Sequence, residues 1–181
     1  FYFGTYLLTF SASKANHQTA ANSFSLIVDS VGTSLLRPNG TAESISYGED
    51  YNLFVRYVNS SGYGIEGANI SVIDTSPETG LAIGATQDEG DGFYSILLSP
   101  SLTDTYNLVI EANYTNHKVQ YVTFTLTINE IPTSLFLNVS SITISVNDQF
   151  VLGLVFEDES GTGVAGATIA PESPPSELSF S

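Results

Sequence analysis

The sequence has no cysteine, no methionine and no tryptophan. Without cysteine it forms no disulfides, but a domain of about 100 residues buries enough apolar surface to fold without them. The absence therefore does not place the chain in the cytosol. No apolar run approaches the ~18 residues of a membrane-spanning helix, so we expect no membrane insertion in this segment. Because residue 1 is phenylalanine, we expect the sequence to begin at a processing site or a fragment boundary.

Basic residues are also scarce. Nineteen acidic residues face four basic ones, and the net charge is −15. A surface this acidic repels nucleic acids and anionic membranes, and neither is expected as a partner. The few basic side chains supply no arginine or lysine clamp, and no nucleophile–base pair has a plausible third member. We therefore do not expect an enzyme.

The most informative feature is an internal repeat. A shift of 100 residues superimposes identical residues at Thr5-Tyr6, Leu8, Ala12, Asn16-His17, Phe24, Leu26 and Thr33-Ser34-Leu35. A shift of 99 residues superimposes Gly62, Gly64, Gly67 and Ala68 on Gly161, Gly163, Gly166 and Ala167. One residue is therefore lost within 36–46. A period near 100 residues matches one β-sandwich domain, which predicts an array of domains.

Strand patterns recur throughout the unit 31–130. Apolar and polar residues alternate in 51–58 and 119–128, as in strands with one face in water. Seven or eight antiparallel strands are predicted, from the segments 33–36, 45–47, 51–58, 68–73, 81–85, 93–98, 106–112 and 119–128. Residues 88–92 predict a hairpin turn. The expected fold class is all-β, with two sheets packed as a sandwich.

The repeat also predicts the domain boundaries. Residues 31–130 form a complete domain, and residues 1–30 correspond to its last two strands. Residues 131–170 correspond to its first strands, and 177–180 to a further strand near Leu81, so 131–181 begins a following domain. Two interpretations stay open. The sequence is a window on a longer array, or its ends are real and neighbouring subunits complete the split domains head to tail.

Two motifs carry a family resemblance. Ser61-Gly62-Tyr63-Gly64-Ile65-Glu66-Gly67-Ala68-Asn69-Ile70 recurs at 160–169, and Tyr106, repeated as Tyr6, stands where such sandwiches place a tyrosine corner. These residues resemble the immunoglobulin-like tandem repeats of bacterial and archaeal surface proteins, including those of invasin and intimin type. The resemblance covers the whole chain. It implies immunoglobulin-like domains, an extracellular or cell-surface location, and spacing, adhesion or assembly, with no catalytic residue carried over.

One acidic turn is a candidate cation site. Asp88, Glu89 and Asp91 place three carboxylates within four residues. Hard cations such as calcium prefer six or more oxygen ligands, and one hairpin supplies only some of them. A solvated turn is the favoured interpretation, and calcium bound with help from a neighbouring loop is the alternative. No other cofactor is expected.

Asparagine glycosylation is the remaining candidate chemistry. Five Asn-x-Ser/Thr sequences occur, at Asn39, Asn59, Asn69, Asn113 and Asn138. All are predicted at or near turns or strand ends, where a glycan fits. Asn113 precedes a turn and Asn59 lies within one, which makes these two the favoured acceptors of an extracellular glycoprotein.

The predicted function is structural. The chain is expected to be a repeat segment of an extracellular filament, stalk or cell-surface coat. Its expected partners are copies of itself, or adjacent immunoglobulin-like domains of the same chain, arranged head to tail. The alternative is an adhesin module that binds glycans or a partner surface. An adhesin of that kind needs a contiguous exposed aromatic patch at its loop tips, where the sequence offers little beyond Tyr63.

Overall fold

A computed structural model of the chain describes residues 2–172, and every regular element in this range is a β-strand. These residues contain no helix long and apolar enough to cross a membrane. The chain divides into two compact units, and the boundary in the sequence lies between Asn129 and Glu130. The first unit contains β1 (Gly4–Ala12), β2 (Ala20–Val28), β3 (Thr33–Leu36), β4 (Ala42–Ser46), β5 (Tyr51–Asn59), β6 (Asn69–Ser76), β7 (Leu81–Ile83), β8 (Gln87–Gly90), β9 (Phe93–Pro100), β10 (Thr105–Asn113) and β11 (Gln120–Asn129). The second contains β12 (Thr133–Leu137) and β13 (Leu154–Asp158).

Strands β3 to β11 form an immunoglobulin-like β-sandwich, which confirms the predicted fold class. One sheet has the order β3-β5-β9-β7, with β8 also paired to β9, and the other has the order β4-β11-β10-β6. Alternate residues of each strand point inward, because side chains alternate between the faces of a sheet. The core holds Leu53, Val55, Tyr57, Tyr94, Ile96 and Leu98 from one sheet, and Tyr106, Leu108, Ile110, Ala112, Phe124, Leu126 and Ile128 from the other. Burying one large apolar side chain of this kind stabilises the fold by about 1.5–3 kcal/mol.

The pairing of β4 differs from the expected antiparallel arrangement. The turn at Pro38 and Asn39 separates β3 in one sheet from β4 in the other. Strand β4 pairs in parallel with β11, in a register from Ala42 opposite Thr125 to Ser46 opposite Asn129. An alternating sequence reports which face of a strand is buried and carries no information about the direction of its neighbour. The pattern therefore located this strand without predicting its pairing.

The acidic turn is shorter than predicted, and a strand occupies part of it. Residues Gln87–Gly90 form β8, so that residues 33–129 contain nine strands where seven or eight were expected. The turn itself consists of Asp91 and Gly92, with φ of 49° and 72°. Positive φ at both positions is typical of the two-residue hairpin turns that match the twist of β-strands. Acidic residues rarely form strands, which is why β8 escaped the sequence pattern.

Strands β1 and β2 form an antiparallel hairpin with the register of β10 and β11. Tyr6 lies opposite Leu26 as Tyr106 lies opposite Leu126. Tyr6 donates its hydroxyl hydrogen to the carbonyl of Tyr2 at 2.7 Å, and Tyr106 donates to that of Leu102 at 3.4 Å. A tyrosine that bonds back to the preceding backbone in this way is a tyrosine corner. Both corners were anticipated, since the family resemblance implied one at Tyr106 and the repeat placed the second at Tyr6.

The second unit contains a hairpin that matches β3 and β5. Its strands β12 and β13 pair antiparallel, with Leu135 opposite Phe156. The Asp158 carboxylate then accepts the amide hydrogens of Ser160 and Thr162 at 2.9 and 3.0 Å, as Asn59 does at the corresponding turn of the sandwich. Within residues 130–172, the segments that correspond to β4 and β6 are not strands. The further strand predicted at 177–180 lies outside the described residues.

The close approach between Gly64 and the β8–β9 turn gives a matched test of the sandwich. A Cβ at Gly64 would overlap the carbonyl group of Asp91, whereas one at Gly163 would meet nothing within 4 Å. We expect Gly64→Ala to lower the free energy of unfolding by about 1–3 kcal/mol, since overpacked sites cost this much. Gly163→Ala is the control and should change it little. Urea denaturation followed by tyrosine fluorescence measures both, and equal stability of the two variants would contradict the packing described here.

Candidate assembly interface

The β1–β2 hairpin exposes apolar residues whose repeat counterparts are buried. Tyr6, Leu8 and Phe24 are 36%, 40% and 55% exposed. Their counterparts Tyr106, Leu108 and Phe124 are 0%, 0% and 1% exposed in the sandwich core. We call this surface the first apolar face; it consists of Tyr6, Leu8, Phe10, Phe24 and Leu26. It has the composition of half a sandwich core.

The β12–β13 hairpin carries a second such surface. Leu135 is 48% exposed, whereas its counterpart Leu35 is 7% exposed. Leu137 lies opposite Leu154 on the same side of the hairpin, since directly paired residues share a face. We call this surface the second apolar face; it consists of Leu135, Leu137, Leu154 and Phe156.

In the sandwich, the counterparts of the two apolar faces pack against each other. The counterpart of the first face, on β10 and β11, packs against the counterpart of the second, on β3 and β5, in one core. Tyr51 stacks on Phe124 with ring centroids 5.5 Å apart and planes 9° apart. Tyr57 donates its hydroxyl hydrogen across the sheets to the carbonyl of Lys118 at 2.9 Å. Each face thus has the residue pattern of one side of the core of the sandwich.

The predicted cation-site carboxylates do not converge. The Asp88 carboxylate accepts the amide hydrogens of Gly67 at 2.7 Å and Gly90 at 3.0 Å. Glu89 accepts the hydroxyl hydrogen of Ser95 at 2.6 Å, and Asp91 pairs with Arg56 at 2.7 Å. Residues 2–172 contain no cluster of three or more metal-ligating side chains of the histidine, cysteine or carboxylate type. Calcium at this turn stays a prediction.

The repeated glycine motif has a structural role that its sequence did not reveal. Tyr94 donates its hydroxyl hydrogen to the carbonyl of Ile65 at 2.7 Å and accepts the amide hydrogen of Ala68 at 2.8 Å. Burial raises the pKa of Tyr94, so the hydroxyl stays protonated and able to donate. Glu66 accepts the amide hydrogen of Asp91 at 3.0 Å. These contacts fasten the motif loop to β9 and to the β8–β9 turn.

The candidate glycosylation sites differ in their surroundings. Asn39, Asn69 and Asn113 are exposed, and Asn69 lies opposite Asn113 where β6 pairs with β10. The Asn59 side-chain oxygen accepts two amide hydrogens of its own turn. That of Asn138 accepts the amide hydrogen of Gly153 at 3.0 Å. Glycosylation of all five stays a prediction.

The chain is similar to known proteins in structure but not in sequence. No protein-family model matches the chain, and no curated protein matches it. The chain is similar to domains 4 and 5 of the S-layer protein SbsC, with 11% identity, a TM-score of 0.40, and coverage of 70% of this chain and 65% of that one. It is similar to invasin, a bacterial integrin-binding protein, with 18% identity, a TM-score of 0.40, and coverage of 92% and 34%. It is also similar to titin domains Z1Z2 in complex with telethonin, with 18% identity, a TM-score of 0.36, and coverage of 71% and 61%. The chain spans less than two thirds of the length of each of these structures.

The hydrogen bonds to Asp88 predict a pH dependence of stability. They favour the charged carboxylate and lower the pKa of Asp88 below its ordinary value of 3.8. A lowered pKa stabilises the fold above about pH 3.8, and this stabilisation is lost as the pH falls through the folded-state value. We expect Asp88→Asn to lower the melting temperature at pH 7, because its amide group would face an N–H donor. The difference from wild type should narrow below pH 3.8.

Thermal melts from pH 2 to 7 measure this difference. Asp50→Asn, a change at another exposed aspartate of the same unit, controls for the loss of one negative charge. A difference between wild type and Asp88→Asn that stays constant down to pH 2 would contradict the role of Asp88.

Proposed function

We propose that this chain is a structural repeat segment of an extracellular filament, stalk or cell-surface coat. In that assembly, strands of adjoining immunoglobulin-like domains cover its two apolar faces, from the same array or from copies of the chain. The observation that carries the proposal is the exposure of Leu8 on a hairpin whose counterpart Leu108 is fully buried. The proposal gives the chain no catalytic role.

The energetics of the hairpins support this function. A two-stranded hairpin is at best marginally stable alone in water. Apolar surface removed from water contributes about 25 cal/mol per Å², so covering either face stabilises the assembly. Both faces are built from the residue pattern of the sandwich core, which favours another copy of the repeat as the covering partner.

The acidic surface is compatible with an extracellular assembly. A net charge of −15 keeps separate chains in solution through mutual repulsion. Association through the apolar faces must overcome this repulsion, which salt screens with a Debye length of about 8 Å at physiological ionic strength. We therefore expect added salt to favour assembly.

Two adjacent leucines give a matched test of the proposal. Leu8 belongs to the first apolar face, and Leu7 lies on the opposite side of the same strand. Burying one leucine contributes about 1.5–3 kcal/mol. Leu8→Ser should therefore weaken self-association of the 181-residue chain by about 10- to 100-fold. Leu7→Ser should leave it close to that of wild type, and sedimentation velocity over a concentration series measures all three.

The control for folding is the melting of the sandwich, which both substitutions should leave unchanged. A chain that stays monomeric at every concentration while the amides of β1 and β2 are protected from hydrogen exchange would overturn the proposal. Equal association of the Leu7 and Leu8 variants would overturn it as well.

A further inference from the structure

Strand β13 is shorter than its counterpart in the sandwich. Strand β5 has nine residues, and β13 has five. In the sandwich, β3 pairs with residues 56–59 of β5, and β9 pairs with residues 51–56. The part of β13 that is not formed, residues 150–153, corresponds to the part of β5 that only β9 pairs. The residues missing from β13 are therefore those that would pair with a strand equivalent to β9.

The loop after β13 already has the conformation that receives such a neighbour. Gly161 and Gly166 have φ of 78° and 76°, as Gly62 and Gly67 have φ of 84° and 67°. The amide of Val164 donates to the carbonyl of Phe156 at 2.9 Å, matching the bond from Ile65 to Tyr57.

In the sandwich, the β8–β9 turn contacts the corresponding loop, which contains Gly64. An added Cβ at Gly64 would overlap Asp91, whereas one at Gly163 has no neighbour within 4 Å. The side of Gly163 that would receive the turn is therefore open in the described part of the second unit.

We propose that the edge formed by residues 150–156, together with the loop around Gly163, is a strand-acceptor site. It binds an extended β9-type strand from another copy of the repeat by antiparallel addition to β13. In the register of β5 and β9, Tyr94 of the incoming strand lies opposite Leu154, and Ile96 lies opposite Leu152. The inference rests on the proposed function, because it names the strand that completes the second unit.

Backbone hydrogen bonds and side-chain alternation together define this ligand. In the sandwich, the Tyr57 amide donates to the carbonyl of Gly92 at 2.8 Å. By correspondence, the Phe156 amide donates to the Gly92 carbonyl of the incoming strand. In strand addition of this kind, backbone hydrogen bonds provide the affinity, and the contacts of alternate side chains provide the specificity. The required pattern is that of β9, with Tyr94, Ile96 and Leu98 on the apolar side.

The test is a titration of the isotope-labelled 181-residue chain with a synthetic peptide of residues 91–100. We expect saturable NMR shifts within 150–164. We also expect slower hydrogen exchange at Leu152, Leu154 and Phe156, because the amides of these alternate residues face the incoming strand, whereas the Gly153 amide already donates to Asn138. The matched control peptides carry Ile96→Ser, on the apolar side, or Leu97→Ser, on the opposite side. The first should bind at least tenfold more weakly, and the second should bind like the parent peptide.

A variant of the chain tests the loop. Gly163→Val fills the space beside the incoming turn and should weaken peptide binding at least tenfold, while the shifts of β12 and β13 without peptide stay those of wild type. The absence of shifts within 150–164, or equal binding of the Ile96→Ser peptide, would overturn the inference. If the Leu8 variant loses self-association but the peptide does not bind, the acceptor site is rejected and the proposed assembly stands. If the peptide binds but the Leu7 and Leu8 variants associate equally, the proposed assembly is rejected and the acceptor site stands.

Discussion

The packing of one apolar sheet face against another is the interaction on which the rest of this structure depends. In the sandwich, β10 and β11 cover β3 and β5, and residues such as Leu108 and Val55 lose all contact with water. The same patterns on β1–β2 and β12–β13 keep their backbone pairing and leave their faces exposed. Backbone pairing forms the hairpins but leaves them at best marginally stable alone in water, whereas the sandwich gains its stability from a second layer.

The glycine-rich motif links the end of β5 to the β8–β9 hairpin of the same sheet. Gly64 allows the turn at Asp91 to pass close to the loop, and Tyr94 holds the same loop from inside the core. The motif is therefore a docking point for the β8–β9 turn. The same motif recurs at 160–169, in the second unit.

The fold could be predicted from the sequence because the alternation of apolar and polar residues and the internal repeat are both visible in residue identities alone. The strand Tyr51–Asn59 followed from alternation, and the corner at Tyr106 followed from the family resemblance. The parallel pairing of β4 did not, because pairing direction depends on tertiary contacts. Strand β8 was missed because Asp88 and Glu89 owe their strand conformation to β9 rather than to their own propensity. The repeat located both hairpins, but their exposed faces appeared only once burial was measured in three dimensions.

The parallel pair of β4 and β11 determines how the sandwich bears tension. Strand β4 lies near the start of the sandwich and β11 at its end, and their ladder runs from Ala42–Thr125 to Ser46–Asn129. A force that draws the two ends apart pulls β4 backwards and β11 forwards along their shared direction. The hydrogen bonds between them are then loaded in shear and strained together, whereas an antiparallel hairpin pulled at its open end would lose its bonds one after another. The direction of a single short strand thus determines that these hydrogen bonds resist such a force together.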